Sequence, residues 1–238
     1  MINKSFTFDI NKNVNLNLKR LYKKKLLLTV LVLFSFISVH SQDIRFGAKM
    51  GLNLARIGGD NYSTELYGIG NYGYGIIGTR TGFHIGAIAE IPLKDKLFLQ
   101  PEILYSSEGS TWKWGLGESK TKLDFIRLPV LAKYYFIEGL SAEAGPVFGF
   151  LINAKREEFD PSKTYNVFVI RDVINEYKTI DAALAIGATY RLNMGIFFSL
   201  RYNKGLLNIN KGYTGELFDY RPAKNQSNVF QVSAGYSF

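Results

Sequence analysis

A hydrophobic alternation with a period of two recurs in eight segments between residues 43 and 238, and it constrains this chain more than any other feature. A period of two sends successive side chains to opposite faces of a strand, whereas a helix repeats every 3.6 residues. In 43–54, Ile44, Phe46, Ala48, Met50, Leu52 and Leu54 share one face; Arg45, Gly47, Lys49, Gly51 and Asn53 share the other. The same division recurs in 81–91, 97–107, 125–136, 140–153, 180–192, 196–203 and 230–238. The connections alternate as well. Pro92–Lys96, Ile137–Gly139 and Asn193–Gly195 are tight turns, while Ala55–Arg80, Glu108–Asp124, Ala154–Thr179 and Lys204–Asn228 are long. Short turns alternating with long loops around an even number of antiparallel strands is the plan of a transmembrane barrel. Tilted strands of about 9–11 residues suffice to cross a bilayer. The expected fold is all-β, an eight-stranded antiparallel up-and-down transmembrane barrel.

Parity alone leaves open which face points inward, because a secreted soluble barrel would bury the apolar set. Three features favour apolar-out. The polar set is rich in Gly and Ser, which suits a narrow eight-stranded interior. Its charges are mixed in sign: Arg45, Lys49, Arg127, Lys133, Arg191 and Arg201 against Glu90, Glu102, Glu143 and Asp181. Buried charges require partners, and such a set is able to pair. With His84 on the same face, these residues are the candidate polar network lining the lumen. Finally, aromatics gather at strand ends, at Tyr134–Phe136, Tyr190, Tyr202 and Tyr236, as in an interfacial girdle. Pro101, Pro129 and Pro146 run against this reading. Each removes a ladder hydrogen bond, so bulges or frayed rims are expected there.

The positive charge has a separate origin. Lys4, Lys12, Lys19, Arg20, Lys23, Lys24 and Lys25 lie in the first 41 residues, with Asp9 the only acid. The uncharged run 26–39 follows; its 14 residues are short for a span, which takes about 20. Basic region, short apolar region and small residues spell a secretory signal peptide, with Val39 and Ser41 before a cut at Gln42. The expected division is a signal peptide at 1–41 and a barrel domain at 42–238. The remaining 197 residues carry 22 basic against 19 acidic groups, a charge of +3 instead of the +9 of the whole chain. A clustered basic footprint for nucleic acid is therefore not expected.

The segments 46–60, 82–109, 126–136, 140–155 and 201–209 resemble an outer-membrane β-barrel domain family often labelled porin-like or PorT-like. The pieces QPEILYSSEG and LPVLAKYYF carry most of that resemblance. It implies an eight-stranded barrel in the outer membrane of a Gram-negative bacterium and no assigned activity. The position of Arg127, before Leu128 and Pro129, often carries an acid in the family, so the charge is reversed here. Phe238 resembles the terminal aromatic that barrel-assembly machinery recognises.

Other chemistry is sparse. Cys is absent and only His40 and His84 are present, which excludes thiolate and multi-His metal sites. His84 is expected to be a structural lumen residue, near Glu90 only by periodicity, and not a catalytic base. Gly68, Gly70 and Gly73 fit a dinucleotide fingerprint but lack the flanking strand and helix that it needs. Tyr62, Tyr67, Tyr72, Tyr74, Trp112 and Trp114 are read as loop packing or headgroup contacts. Glu157, Glu158 and Asp160 are read as a solvated loop, not a Ca²⁺ site. No enzyme activity and no cofactor are expected. The expected partners are outer-membrane lipid, the assembly machinery through Phe238, and, as a candidate, a protein at the extracellular loops. The expected role is structural or surface-interacting, with a lumen plugged by paired charges. The alternatives are a small porin or transport channel, or a component of a secretion apparatus.

Overall fold

The computed structural model describes residues 44–58, 76–114, 117–160, 167–211, 214–215, 218–219 and 225–238. The expected signal peptide, the Gly68–Gly73 pattern and the tyrosines at 62–74 lie outside them. The strands are β1 (Arg45–Gly58), β2 (Ile76–Lys94), β3 (Leu97–Trp114), β4 (Gly117–Ile137), β5 (Leu140–Asp160) and β6 (Val167–Asp172). They continue as β7 (Ile180–Arg191), β8 (Ile196–Gly205), the short β9 (Thr214–Gly215) and β10 (Phe218–Asp219), and β11 (Gln226–Ser237). A single 3-10 turn covers Ile174–Glu176.

Eight strands close a ring. The order β4-β3-β2-β1-β11-β8-β7-β5 returns to β4 through the β4–β5 pairing, and each named ladder is antiparallel. Closure removes the sheet edge, which is what allows a sheet to stand in hydrocarbon. At one end the chain reverses tightly. Asp95 takes a left-handed φ of 43° between β2 and β3. Gly139 (φ 77°) and Gly195 (φ 90°) adopt the same region in the other two turns, where a side chain would strain the backbone. Phe238 joins this end through its amide, which donates to the Phe46 carbonyl (2.9 Å).

The apolar set points outward. Met50 and Leu52 on β1 are 61% and 56% exposed, and Ile186 on β7 is 64% exposed. Phe83, Ile103, Phe148, Phe198 and Phe230 extend this surface around the ring. A continuous apolar exterior of this size has to be covered, and lipid covers it. From Ile44 to Leu54 the outward series on β1 spans roughly 33 Å of strand. At a tilt of about 40° that gives the height of about 25 Å typical of the apolar band of such barrels. Tyr134, Phe136, Tyr190, Tyr202 and Tyr236 all face outward as expected, but Tyr135 does not: it is buried inside. Adjacent strand residues alternate sides, so a run of three aromatics cannot all belong to one girdle.

The strands outrun the alternation that announced them. β3 and β4 continue as a hairpin to Trp114 and Gly117, so most of the expected loop 108–124 is strand. β5 continues to Asp160 and pairs there with β6. The three prolines are neighbours. In the β3–β4 ladder the pairs pass from Pro101↔Val130 to Leu104↔Arg127, and in β4–β5 from Pro129↔Val147 to Ala132↔Ala144. The missing ladder bonds are thus gathered in one patch of the wall and the register is kept across it.

A candidate functional site in the barrel interior

Side chains from opposite walls meet in the interior. Arg201 on β8 donates from Nη1 and Nη2 to the two carboxylate oxygens of Glu102 on β3 (2.8 and 2.7 Å). Its Nε donates to Glu143 Oε1 on β5 (2.8 Å). Lys49 on β1 donates to Glu102 Oε2 (3.3 Å), and Thr189 Oγ1 on β7 donates to Glu143 Oε2 (3.1 Å). Five strands therefore contribute to one cluster. The planar fork of arginine suits this role because it meets one carboxylate with two parallel bonds and still reaches another.

A second cluster lies toward the tight-turn end. Arg191 donates to Glu90 Oε2 (3.0 Å), and the Tyr135 hydroxyl donates to Glu90 Oε1 (2.6 Å). Lys133 lies 3.9 Å from Glu90 and donates to Gln100 Oε1 (2.9 Å). Gln100 in turn donates to Glu102 (2.6 Å), joining this cluster to the first.

A third lies toward the long-connection end. Arg127 donates from Nε and Nη2 to Glu108 (2.9 and 2.6 Å) and from Nη1 to Asp181 (2.6 Å). Ser106 and Ser227 add bonds to Glu108 (2.9 and 2.8 Å). The reversed charge at Arg127 is therefore met by acids on β3 and β7. Gly149, directly opposite Arg127 in the β4–β5 register, leaves the room the guanidinium occupies.

Between the first and third clusters, Asn53 Oδ1 accepts from Gln231 Nε2 (2.9 Å) while its amide nitrogen donates to the Phe83 and Ser107 carbonyls. His84 Nδ1 lies 2.8 Å from that same Asn53 oxygen, and Nε2 lies 2.8 Å from Ser233 Oγ. An acceptor on one side requires Nδ1–H, which leaves Nε2 to accept from Ser233. Ser233, His84 and Asn53 thus stand in the order of a hydrolase triad. All three are enclosed by the wall, with His84 and Asn53 at 1% and 0% exposure. A scissile carbonyl also has to reach the serine before such an order does chemistry.

The balance of the interior is even. Lys49, Arg127, Lys133, Arg191 and Arg201 face Glu90, Glu102, Glu108, Glu143 and Asp181, five charges against five, and both oxygens of each of these carboxylates accept a hydrogen bond. Ten of the eleven candidate lumen residues are brought inside in this way, counting His84. Arg45 is the exception. It is half-buried at the tight-turn end and lies over the Phe98 ring (5.8 Å) without an ion pair among the described residues. His84 bonds Asn53 and Ser233, not Glu90. Glu108 and Tyr135 were missed as members. Glu108 stands two residues from Ser106 and four from Leu104, so extending the β3 alternation by one step would have found it.

Toward the long-connection end, apolar side chains form a buried cluster. Ile57, Leu123, Phe125, Leu151 and Ala154 from the wall pack with Val173, Tyr177 and Ile209. The last three come from two connecting segments tied to each other: the Lys178 amide donates to Ile209 O (2.7 Å) and the Lys211 amide to Glu176 O (2.8 Å). Phe125 also stacks under Arg127, 4.1 Å from guanidinium carbon to ring centroid.

Residues 40–211 match the model of a family described as outer membrane protein beta-barrel domain, well over half of the chain. No curated protein matches it. Among solved structures it is similar to Ail, the attachment invasion locus protein of Yersinia pestis, at 10% identity and a TM-score of 0.43, covering 83% of this chain and 100% of that one. It is also similar to Neisserial surface protein A at 11% identity and a TM-score of 0.46, over 83% and 100% of the two chains. The outer membrane protein OprG from Pseudomonas aeruginosa gives 13% identity and a TM-score of 0.38, over 82% and 95%.

Proposed function

This chain belongs to the outer membrane protein β-barrel domain family and lies in the bacterial outer membrane, and from that premise we propose that it is a closed barrel whose role is structural or surface-interacting rather than conductive. The observation that carries this reading is the interior, where five cations and five carboxylates from opposite walls are mutually bonded with both oxygens of every carboxylate used. An eight-stranded barrel is only just wide enough for its side chains to fill it. Filling it with paired charges occupies the charged groups that could otherwise replace the hydration shell of a passing ion, which conduction requires. The apolar lid of Val173, Tyr177 and Ile209 adds a second barrier at the long-connection end.

In this reading the tight turns face the periplasm and the long connections face outward, the usual orientation of such barrels. The extended β3–β4 hairpin and the β5–β6 pair then stand above the membrane as the surface offered to partners. The Ser233–His84–Asn53 arrangement holds β11, β2 and β1 together and does no acyl transfer.

Planar-bilayer recording of the refolded protein tests the proposal. The expected trace shows no reproducible openings. Discrete, repeatable steps at low voltage would overturn the closed-barrel reading in favour of a channel.

A further inference from the structure

The outward face of β1, β11 and β8 changes character at a single level. Running toward the long-connection end, β1 presents Leu52, Leu54 and then Arg56; β11 presents Val232, Phe230 and then Asn228; β8 presents Leu200, Tyr202 and then Lys204. The registers place these triplets side by side: Leu54↔Phe230↔Tyr202, and one pleat above it Arg56↔Asn228↔Lys204. Two ladder steps separate Arg56 from Lys204, roughly 10 Å between backbones.

Both cations are exposed, and neither makes an ion pair or hydrogen bond among the described residues. Several other cations at this end are held: Arg127 by Glu108 (2.6 Å), Arg80 by the Glu108 carbonyl (3.0 Å), Lys122 by Asp124 (3.3 Å) and Arg156 by Glu176 (2.6 Å). Lys113, Lys155, Lys178 and Lys211 are also exposed without a side-chain partner among the described residues, so what distinguishes Arg56 and Lys204 is their register above one outward apolar triplet. The strands end just beyond: β1 at Gly58, β8 at Gly205, while β11 begins at Gln226. The patch therefore sits where the apolar band stops. Acyl chains against Leu54, Phe230 and Tyr202 would bring their headgroup to Arg56 and Lys204.

We propose that Arg56, Asn228 and Lys204 form a binding site for the phosphate-bearing headgroup of an outer-leaflet lipid. Arginine grips phosphate through two parallel N–H donors, lysine adds a point charge, and the Asn228 side chain lies between them within reach of a sugar or phosphate oxygen. The apolar triplet below supplies the acyl contact, so the ligand is a lipid and not a free anion. The inference rests on the outward orientation of the long connections but not on the closed interior.

The test uses the refolded full barrel in neutral detergent with bisphosphorylated lipid A as the probe, read by native mass spectrometry, where membrane orientation plays no part. Wild type should retain one lipid A and lose it when the phosphates are removed from the probe. Arg56→Gln with Lys204→Gln should lower retention about tenfold. Lys94→Gln with Lys96→Gln, an equal loss of charge at the tight-turn end, should leave it unchanged. Heat-dependent gel mobility confirms that each variant is folded; if the double variant does not fold, the single substitutions are read instead, each with a partial loss. Equal losses from the two double variants, or unchanged retention in the first, would overturn the site. Displacement of lipid A by millimolar inorganic phosphate would show a simple anion site and overturn the lipid assignment. Lipid A bound as proposed to a barrel that conducts would leave this site standing while the closed-interior reading falls.

Discussion

Arg201 is the residue on which the middle of the barrel turns, because it bonds two carboxylates from different strands, Glu102 and Glu143. Replacing it by Met leaves Glu102 with Lys49 and Gln100, and leaves Glu143 with Thr189 as its hydrogen-bond donor. Removing one partner of a buried pair costs about 3–5 kcal/mol, because the remaining charge stays desolvated. Arg201→Met is therefore expected to lower the urea midpoint of the folded, gel-shifted form by that equivalent. Adding Glu143→Gln should restore most of the loss, since Glu102 then still pairs with Lys49 and no carboxylate is left uncompensated. A double variant as unstable as the single one would show that the arginine matters through its bulk. The positions of Arg201, Glu102 and Glu143 were legible from parity alone, because a polar face with both signs of charge can only be interior if it pairs. The partners were not. Which carboxylate meets which cation depends on the stagger of eight strands around the ring, and alternation within one strand carries no information about stagger.

At the scale of elements, the alternation gives the eight ring strands and their facing but ends them too early on the long-connection side and misses β6, β9 and β10. The alternation weakens there because the contrast between lipid and lumen ends where the membrane does. Ser106, Ser107, Glu108 and Gly109 are all buried in succession, which no period of two would suggest. The lid was invisible for a related reason. Val173, Tyr177 and Ile209 belong to two connections without periodicity, and only the crossing bonds between Lys178 and Ile209 and between Lys211 and Glu176 make them one element. That crossing makes the lid testable apart from the barrel. Ile209→Asp places a charge among Leu123, Leu151 and Val173, where no partner is offered. Hydrogen exchange at the Lys178, Ile209 and Lys211 amides should accelerate at least tenfold, while the strand amides and the heat-dependent gel shift stay as they are. Unchanged protection at those three amides would mean that the lid is not held by its apolar packing.

For the molecule as a whole, the closed barrel proposed above would be closed in series. Three clusters follow one another from the tight turns to the lid: Glu90 with Arg191 and Lys133, then Glu102 with Arg201, Glu143 and Lys49, then Arg127 with Glu108 and Asp181. Obstructions in series each suffice alone, so opening one does not open the path. Lys49, Glu102, Glu143 and Arg201 replaced together by Ala empty the middle cluster while leaving none of its charges unpaired. The wall is unaffected, because its ladder bonds are between backbones. The quadruple variant is expected to fold, to shift on heating as the parent does, and to remain electrically silent in a planar bilayer. Its new cavity should fill with water, since Gln100, Thr189 and Lys133 line it with donors and acceptors. Steady openings from this variant would show that the two outer clusters and the lid do not seal, and that the middle cluster alone had kept the parent closed. Silence in the quadruple variant, with openings only after Arg127, Glu108 and Asp181 are also reduced to Ala and Ile209 to Asp, would place the seal on the long-connection side, where the lid and the third cluster meet at Phe125 and Arg127.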